Sequence, residues 1–422
     1  VTIATEIEKP VASVFRRAWI KRRSATTALL ESGWTEITTY VKSWGSLKKA
    51  VDDIRLNRFT YDGIELIVRN DEGKFNIETD INSLWYGYLT RYKTLLKIEA
   101  GYIADDGTEL PTDASLGVFI VTDEIPISSA TNEATIQAKS LASIFDEVRA
   151  VNINGLGATL TASDLIARIR DHTDGSSNYI FRDFITSTSW VIQTTTSNYN
   201  FATSSAYQDK SAWDLMAQLA ESEGFIVVLN RSGGIEFRDR DERTTTSAFD
   251  FYGQTYANPS IISLNEYKQA MDKYYNYFVM KYQDADTNTS YLTAGTLASV
   301  SPSVLQWKYG QRTYNFENTW AVNTATAQTL VNNLYNEFSE LKNELNITCK
   351  LIPQLEISDK VTVSYRSYSA EGFTQWDGFD WDGANWADEK GENFDWNLLP
   401  FKVLSIETDL ENFTTTFQLR GI

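Results

Sequence analysis

His172 and Cys349 are the single histidine and the single cysteine in a chain of 422 residues, and those two counts decide much of the chemistry open to it. One histidine cannot build a paired-histidine zinc motif, and a Ser-His-Asp triad would have to recruit His172 itself. One cysteine allows neither an intrachain disulfide nor a clustered-thiolate metal site. Carboxylates are abundant, so Asp105, Asp106, Glu109 and Asp123 could be drawn as a glycosidase pair, which needs two carboxyl groups at a defined separation. Nothing in their spacing fixes two of them on one pocket wall, and solvated turns account for them better. His172 lies in a polar stretch and reads as an exposed or locally hydrogen-bonded residue. No catalytic residue, metal ligand or cofactor is assigned, and no enzyme is expected.

A second kind of chemistry is aromatic. Trp376-Asp377-Gly378 recurs as Trp381-Asp382-Gly383, Trp386 keeps the spacing, and Phe394-Asp395-Trp396 closes the run. Such indoles can cover a sugar, a peptide or a neighbouring subunit while the Asp residues accept hydrogen bonds. Gly378 and Gly383 can also turn the chain so that the indoles anchor an extended hairpin or loop, which is the preferred reading. Asp377, Asp380, Asp382, Asp388 and Asp395 lack the ligand spacing of an EF-hand calcium loop. Gly224 to Gly234 lacks the glycine order and the lysine of a phosphate-binding loop. Arg16, Arg17, Lys21, Arg22 and Arg23 surround Trp19, and because 56 acidic residues outnumber 38 basic ones, this patch suits an acidic protein neighbour better than nucleic acid or lipid.

The elements that must position these groups are mostly strands. Ile64, Leu66 and Val68 alternate as one face of a strand before a turn at Asn70 to Gly73, and Leu95–Ala100, Gly117–Val121 and Thr135–Ala138 read as further strands. Trp19, Trp34, Trp44 and Trp85 supply core or interface anchors to this β-rich first third. Ser163 is expected to cap a short helix carrying Leu165, Ile166 and Ile169. A clearer helix runs from Ser211 to a stop at Gly224, its stripe made by Ala212, Leu215, Met216, Leu219 and Ala220, and leads into a hairpin of Phe225–Leu229 and Ile235–Phe237. Ile185 to Ser205 fits surface strands or a long loop. A helix over about Thr324 to Asn346 aligns Ala327, Val331, Leu334, Phe338, Leu341 and Leu345, a stripe suited to intrachain packing more than to a subunit contact. Lys360–Tyr365, Phe401–Ile406 and Phe413–Leu419 close the chain as strands of a small barrel. No run approaches the ~20 apolar residues of a membrane span, and Val1 to Pro10 lacks a signal-peptide core, so neither insertion nor secretion is expected.

The order of these features resembles the tail or baseplate hub proteins of tailed bacteriophages and prophages. The resemblance rests on Trp34 to Tyr40, Val41 to Ser46, Leu66 to Phe75, Ser83 to Arg91, Leu96 to Tyr102 and Leu116 to Val121, which together match the opening domain of a hub. Ser211 to Phe237 and Glu356 to Val363 with Phe401 to Leu419 match its later parts. The expected fold is mainly β with α/β insertions and small β-barrel domains of the tail-hub type. Three regions are expected: residues 1–153 as a β-rich hub domain, 154–250 as an α/β domain, and 251–422 as a linker helix and C-terminal barrel with a Trp-rich insertion at 371–397. The resemblance implies a homotrimer at the distal end of the virion tail, assembled in the host cytoplasm. Its implied partners are the tail tube or a distal tail protein, the tape-measure protein and a distal fibre or tip protein, with DNA passing without specific binding. Candidate subunit or partner contacts are Trp44, Trp85, Phe338, Leu341, Trp376, Trp381, Trp386 and Trp396. The alternatives are a tail-associated carbohydrate-binding or cell-wall-degrading protein, or another distal tail adaptor.

Overall fold

The computed structural model describes the chain outside residues 1–2, 8, 10–11, 28, 52–58, 62, 90–93, 122–124, 154–155, 157–158, 174–179, 186, 201–208, 241–245, 254–255, 257–258, 283–289, 296–309, 319–323 and 367–394. The described part is mainly β with α/β insertions. Its helices are α1 (Ile3–Ile7), α2 (Ala142–Glu147), α3 (Ala162–Arg170), α4 (Ala212–Glu223) and α5 (Thr324–Phe338).

The first sheet is an antiparallel array in the order Thr35–Glu36, Ser13–Lys21, Leu95–Ile103, Ser115–Val121, Glu133–Ser140, Ile64–Arg69 and Val41–Trp44. Ile64, Leu66 and Val68 point inward as their alternation requires. Ser115–Val121 is buried along its whole length, the mark of a strand covered on both faces.

The last sheet curls into a half-barrel, in the order Phe249–Tyr252, Lys360–Arg366, Asp395–Asp409, Thr414–Gly421, Asn343–Lys350 and Ile261–Gln269. Strand Asp395–Asp409 has two partners on one side. Its first half pairs with Lys360–Arg366, while Ser405 to Asp409 pairs with Ala50 to Ser46 of the early strand Ser46–Val51. The chain therefore passes from the first sheet into the last at Gly45, where an added Cβ would stand 2.7 Å from the Glu65 carbonyl oxygen. One continuous apolar core runs from Ile7 to Leu419 through all three expected regions.

Between the sheets, Ser211 caps α4 by accepting from the Asp214 N–H at 3.1 Å, and Gly224 ends it at φ +72°. The hairpin Phe225–Leu229 with Ile235–Asp239 follows as expected, and Trp190–Ile192 adds a parallel third strand from the stretch the sequence left open. The cap of α3 is Thr161, which accepts from Asp164, and Ser163 is inside the helix. The helix expected to reach Asn346 stops at Phe338, because the following residues enter strand Asn343–Lys350. Leu345 is core through period-two alternation there, and Leu341 lies between the two elements. Ala327, Leu330, Val331, Leu334 and Phe338 of α5 form a separate apolar cluster with Phe278, Met280 and Phe316, so the stripe is covered within the chain.

Candidate assembly surface

Strand Ile64–Arg69 ends at Asn70, and the chain makes a turn-rich excursion before returning at Tyr88–Leu89. Polar side chains close its backbone. Asn70 Oδ1 accepts from the Phe75 N–H at 2.7 Å, and Asn70 Nδ2 donates to Asn76 Oδ1 at 2.9 Å. Asn76 Nδ2 donates to Asp80 at 2.7 Å, and the same carboxylate accepts from the Asn82 N–H, which holds its pKa below the usual Asp range. Ser83 Oγ donates to the Asn76 carbonyl and accepts from the Trp85 N–H. These bonds replace the ladder that a strand would have provided.

Two aromatics anchor this frame. Trp85 is fully buried and meets Phe75 edge-on at 6.3 Å, and Phe75 in turn meets Tyr40 at 5.5 Å. A second tie comes from Arg22, which holds Glu31 through two bonds of 2.7 and 2.8 Å, donates to the Leu84 carbonyl and lies 4.1 Å from the Tyr88 ring. These bonds and the burial of Glu31 act on its carboxyl in opposite directions; burial is the largest influence and pushes the pKa up, yet the Arg22 contacts bring it down overall. The neighbouring turn is joined by Ala25 N–H to Gly87 O and Ser24 N–H to Leu29 O.

What this frame presents outward is apolar. Ile77 and Ile81 are 68% and 76% exposed, and Tyr86 and Leu29 are also largely in solvent. Aliphatic side chains held outward on a hydrogen-bonded loop suit a protein contact, since covering them removes apolar area from water while the loop backbone is already fixed by its own hydrogen bonds. Sequence reading missed Ile77 and Ile81. Their signal was two isoleucines four apart within a stretch of turn formers.

The residues singled out from the sequence are placed differently. Trp44 and Phe338, like Trp85, are buried inside one protomer. Their apolar area is spent on intrachain packing: Trp44 lies under Arg16, and Phe338 under Arg420 at 5.1 Å. Leu341 is half-buried. Trp396 is half-buried against Tyr267 at 5.0 Å and Tyr365 at 6.0 Å. Trp376, Trp381 and Trp386 lie outside the described residues.

The basic cluster expected to meet an acidic neighbour is engaged within the chain. Arg16 pairs with Glu411, Arg17 with Glu109, Arg22 with Glu31 and Arg23 with Asp183, while Lys21 lies 5.8 Å from the Trp34 ring. The acidic partner is this chain's own later sequence. His172 is buried, not exposed, beside Phe181. No group of three or more His, Cys, Asp or Glu suited to a metal ion occurs among the described residues.

No family model matches the sequence, and no curated protein does. Solved structures do. The fold is similar to that of the tail protein from Neisseria meningitidis MC58, with a TM-score of 0.53 and 9% identity over 96% of each chain. It is also similar to the 43 kDa tail protein of prophage MuSo2 from Shewanella oneidensis, with a TM-score of 0.50 and 10% identity over 96% of this chain and 98% of that one. At such identities the likeness is one of fold: the chain has, over nearly its full length, a β-rich fold found in phage tail proteins.

Proposed function

We propose that the chain is a structural protein of a phage tail and, within that class, a baseplate hub. The supporting observation is that the fold correspondence extends from end to end of both chains, 96% of each in the Neisseria meningitidis comparison, and so covers an architecture and not one common module. In this reading three copies surround the tail axis, join the tail tube to distal components and line or gate the passage for genome delivery. The tape-measure protein and a distal fibre or tip protein are its other partners, and the particle's distal end is its location after assembly in the host cytoplasm. The excess of 18 negative charges suits a wall past which a phosphate polymer must slide without sticking.

The exposed Ile77, Ile81, Tyr86 and Leu29 are the surface we assign to a subunit or partner contact. The run Trp376, Trp381, Trp386 and Trp396 is assigned to a distal contact on sequence grounds. Imaging of assembled particles at side-chain resolution tests the reading. A central threefold ring supports it; sixfold placement outside the tube, or a peripheral position, replaces the hub with another adaptor.

A further inference from the structure

Strands Ile261–Gln269 and Asn343–Lys350 are antiparallel neighbours in the half-barrel, with Gln269 opposite Asn343, and the Ala270 N–H donates to the Lys342 carbonyl at 2.9 Å. The chain therefore leaves this sheet and returns to it at adjacent positions, and residues 271–341 are an insertion on a narrow neck. In its described part, Tyr277–Tyr282 is the middle of a three-stranded sheet, antiparallel to Ser290–Gly295 and parallel to Thr313–Asn318. Phe278, Met280 and Tyr282 alternate onto the face that α5 covers. Their apolar cluster is separate from the main core, and Leu404 of the half-barrel is the buried member drawn from outside the insertion.

The seam between this insertion and the rest of the chain is largely polar. A cavity of about 370 Å³ lies along it, and acids and bases share its wall: Glu223, Asp239 and Glu337 with Arg240, Lys342, Lys402 and Arg420. Glu337, at the end of α5, is the insertion's carboxylate there. Burial is the strongest influence on it and pushes its pKa up, yet Lys402, Arg240, Lys342 and Arg420 together outweigh burial and hold the group below the usual Glu range. Arg420 is buried; it donates Nη2 to the Glu337 carbonyl at 3.2 Å, and its Nε stands 3.9 Å from the Glu337 carboxylate. Asn333 of α5 donates Nδ2 to the Glu223 carbonyl at the end of α4, at 3.5 Å. Buried at the neck, Lys273 donates to Glu344 at 2.8 Å. Such contacts exchange hydration for pairing with little net gain, so the seam is held far less firmly than the apolar area holds either core. Two cores joined in this way allow one to open while the other stays folded.

From this arrangement we propose that the insertion 271–341 is a module that opens from the rest of the chain as one unit, with Ala270 and Lys342 as its neck and the contact of Glu337 with Arg420 as its latch, while the half-barrel stays closed.

The test is hydrogen exchange of the full chain, read peptide by peptide by mass spectrometry. Backbone amides of Tyr277–Tyr282 and α5 are expected to exchange together, at least about tenfold faster than those of Asn343–Lys350 and Thr414–Gly421. Glu337→Gln keeps the shape of the side chain and removes its charge; it should speed exchange in the insertion by a further factor of about ten and leave the half-barrel unchanged. A second variant holds the seam shut. A Cβ at position 224 would stand 3.5 Å from the Asn333 Cβ, within reach of a disulfide, so oxidation of the double variant Gly224→Cys, Asn333→Cys should slow exchange in the insertion relative to the same variant reduced. The strain of a side chain at φ +72° is common to both forms and cancels. This pair decides the matter if Glu337→Gln fails to fold. A single exchange rate shared by insertion and half-barrel, an equal effect of Glu337→Gln on both, or no slowing on oxidation overturns the proposal.

Discussion

The guanidinium of Arg16 lies 5.1 Å from the centre of the Trp44 ring, joining the strand Ser13–Lys21 to the point where the chain leaves the first sheet. Arg16 also donates to the Leu410 carbonyl and, at 3.0 Å, to Glu411, whose second oxygen accepts from the Trp44 N–H at 2.8 Å. Phe413 adds a ring 5.3 Å from the same guanidinium. One side chain thus locks the beginning of the fold to the turn of its last hairpin. Arg16→Ala should lower unfolding stability by about 2 kcal/mol, the range of a hydrogen bond to a charged group plus a cation–π contact. Urea unfolding measures it; a midpoint equal to that of the parent chain refutes the coupling.

The ends of α4 give a second, local prediction. Ser211→Ala removes the acceptor for the Asp214 N–H and should cost about 1 kcal/mol. Gly224→Ala should cost at least as much, about 1 to 2 kcal/mol, because φ is +72° and the new Cβ would meet the Asn333 amide at 2.6 Å. Chemical denaturation of both variants checks the ranking; a neutral Gly224→Ala would contradict it.

His172 makes stability depend on pH. Burial lowers its pKa from the ordinary 6.5, and its Nδ1 has no hydrogen-bond partner among the described residues. The unfolded chain therefore takes up a proton at a pH where the folded chain still refuses it. The contribution is fully present above about pH 6.5 and is lost as pH falls through the unfolded value toward the depressed folded one. Unfolding free energy measured between pH 7.5 and 5, as an order-of-magnitude window around that pKa, should fall less steeply in His172→Phe than in the parent. Parallel curves would show that His172 does not contribute.

Ile77 and Ile81 separate assembly from folding. Because both side chains project into solvent, the double change Ile77→Ser, Ile81→Ser should leave the unfolding temperature of the chain unchanged while, on the proposed assembly reading, weakening its self-association in sedimentation. Trp85→Ala is the contrasting case, expected to destabilise the protomer by about 3 to 5 kcal/mol through loss of a fully buried ring. Self-association unchanged by the isoleucine substitutions rules the patch out as a subunit contact.

Much of the local structure was legible because its cause is local. The Ser211 cap, the Gly224 stop and the hairpin after them follow from residues within a few positions of one another. The boundary of α5 was not legible in the same way. Leu334, Phe338, Leu341 and Leu345 satisfy a helical spacing, yet Leu345 is paired opposite Leu419 in the half-barrel, and that pairing ends the helix early. Trp44 and Trp85 were recognisable as anchors, but whether an anchor faces its own chain or another is set by what folds over it.

The amino-acid order by itself determined α4 with its cap and stop, the hairpin after it, the single histidine and single cysteine, and a β-rich plan with α/β insertions, because periodicity, capping and composition act between near neighbours. Tertiary structure alone decided that Ser46–Val51 completes a sheet with Asp395–Asp409, that the arginines around Trp19 find their acids within the chain, and that Ile77 and Ile81 stay in water. Such outcomes turn on contacts between distant parts of the chain, 395 residues for Arg16 and Glu411, where many strands offer equivalent edges and many carboxylates equivalent charges, and only the closing of the core selects among them.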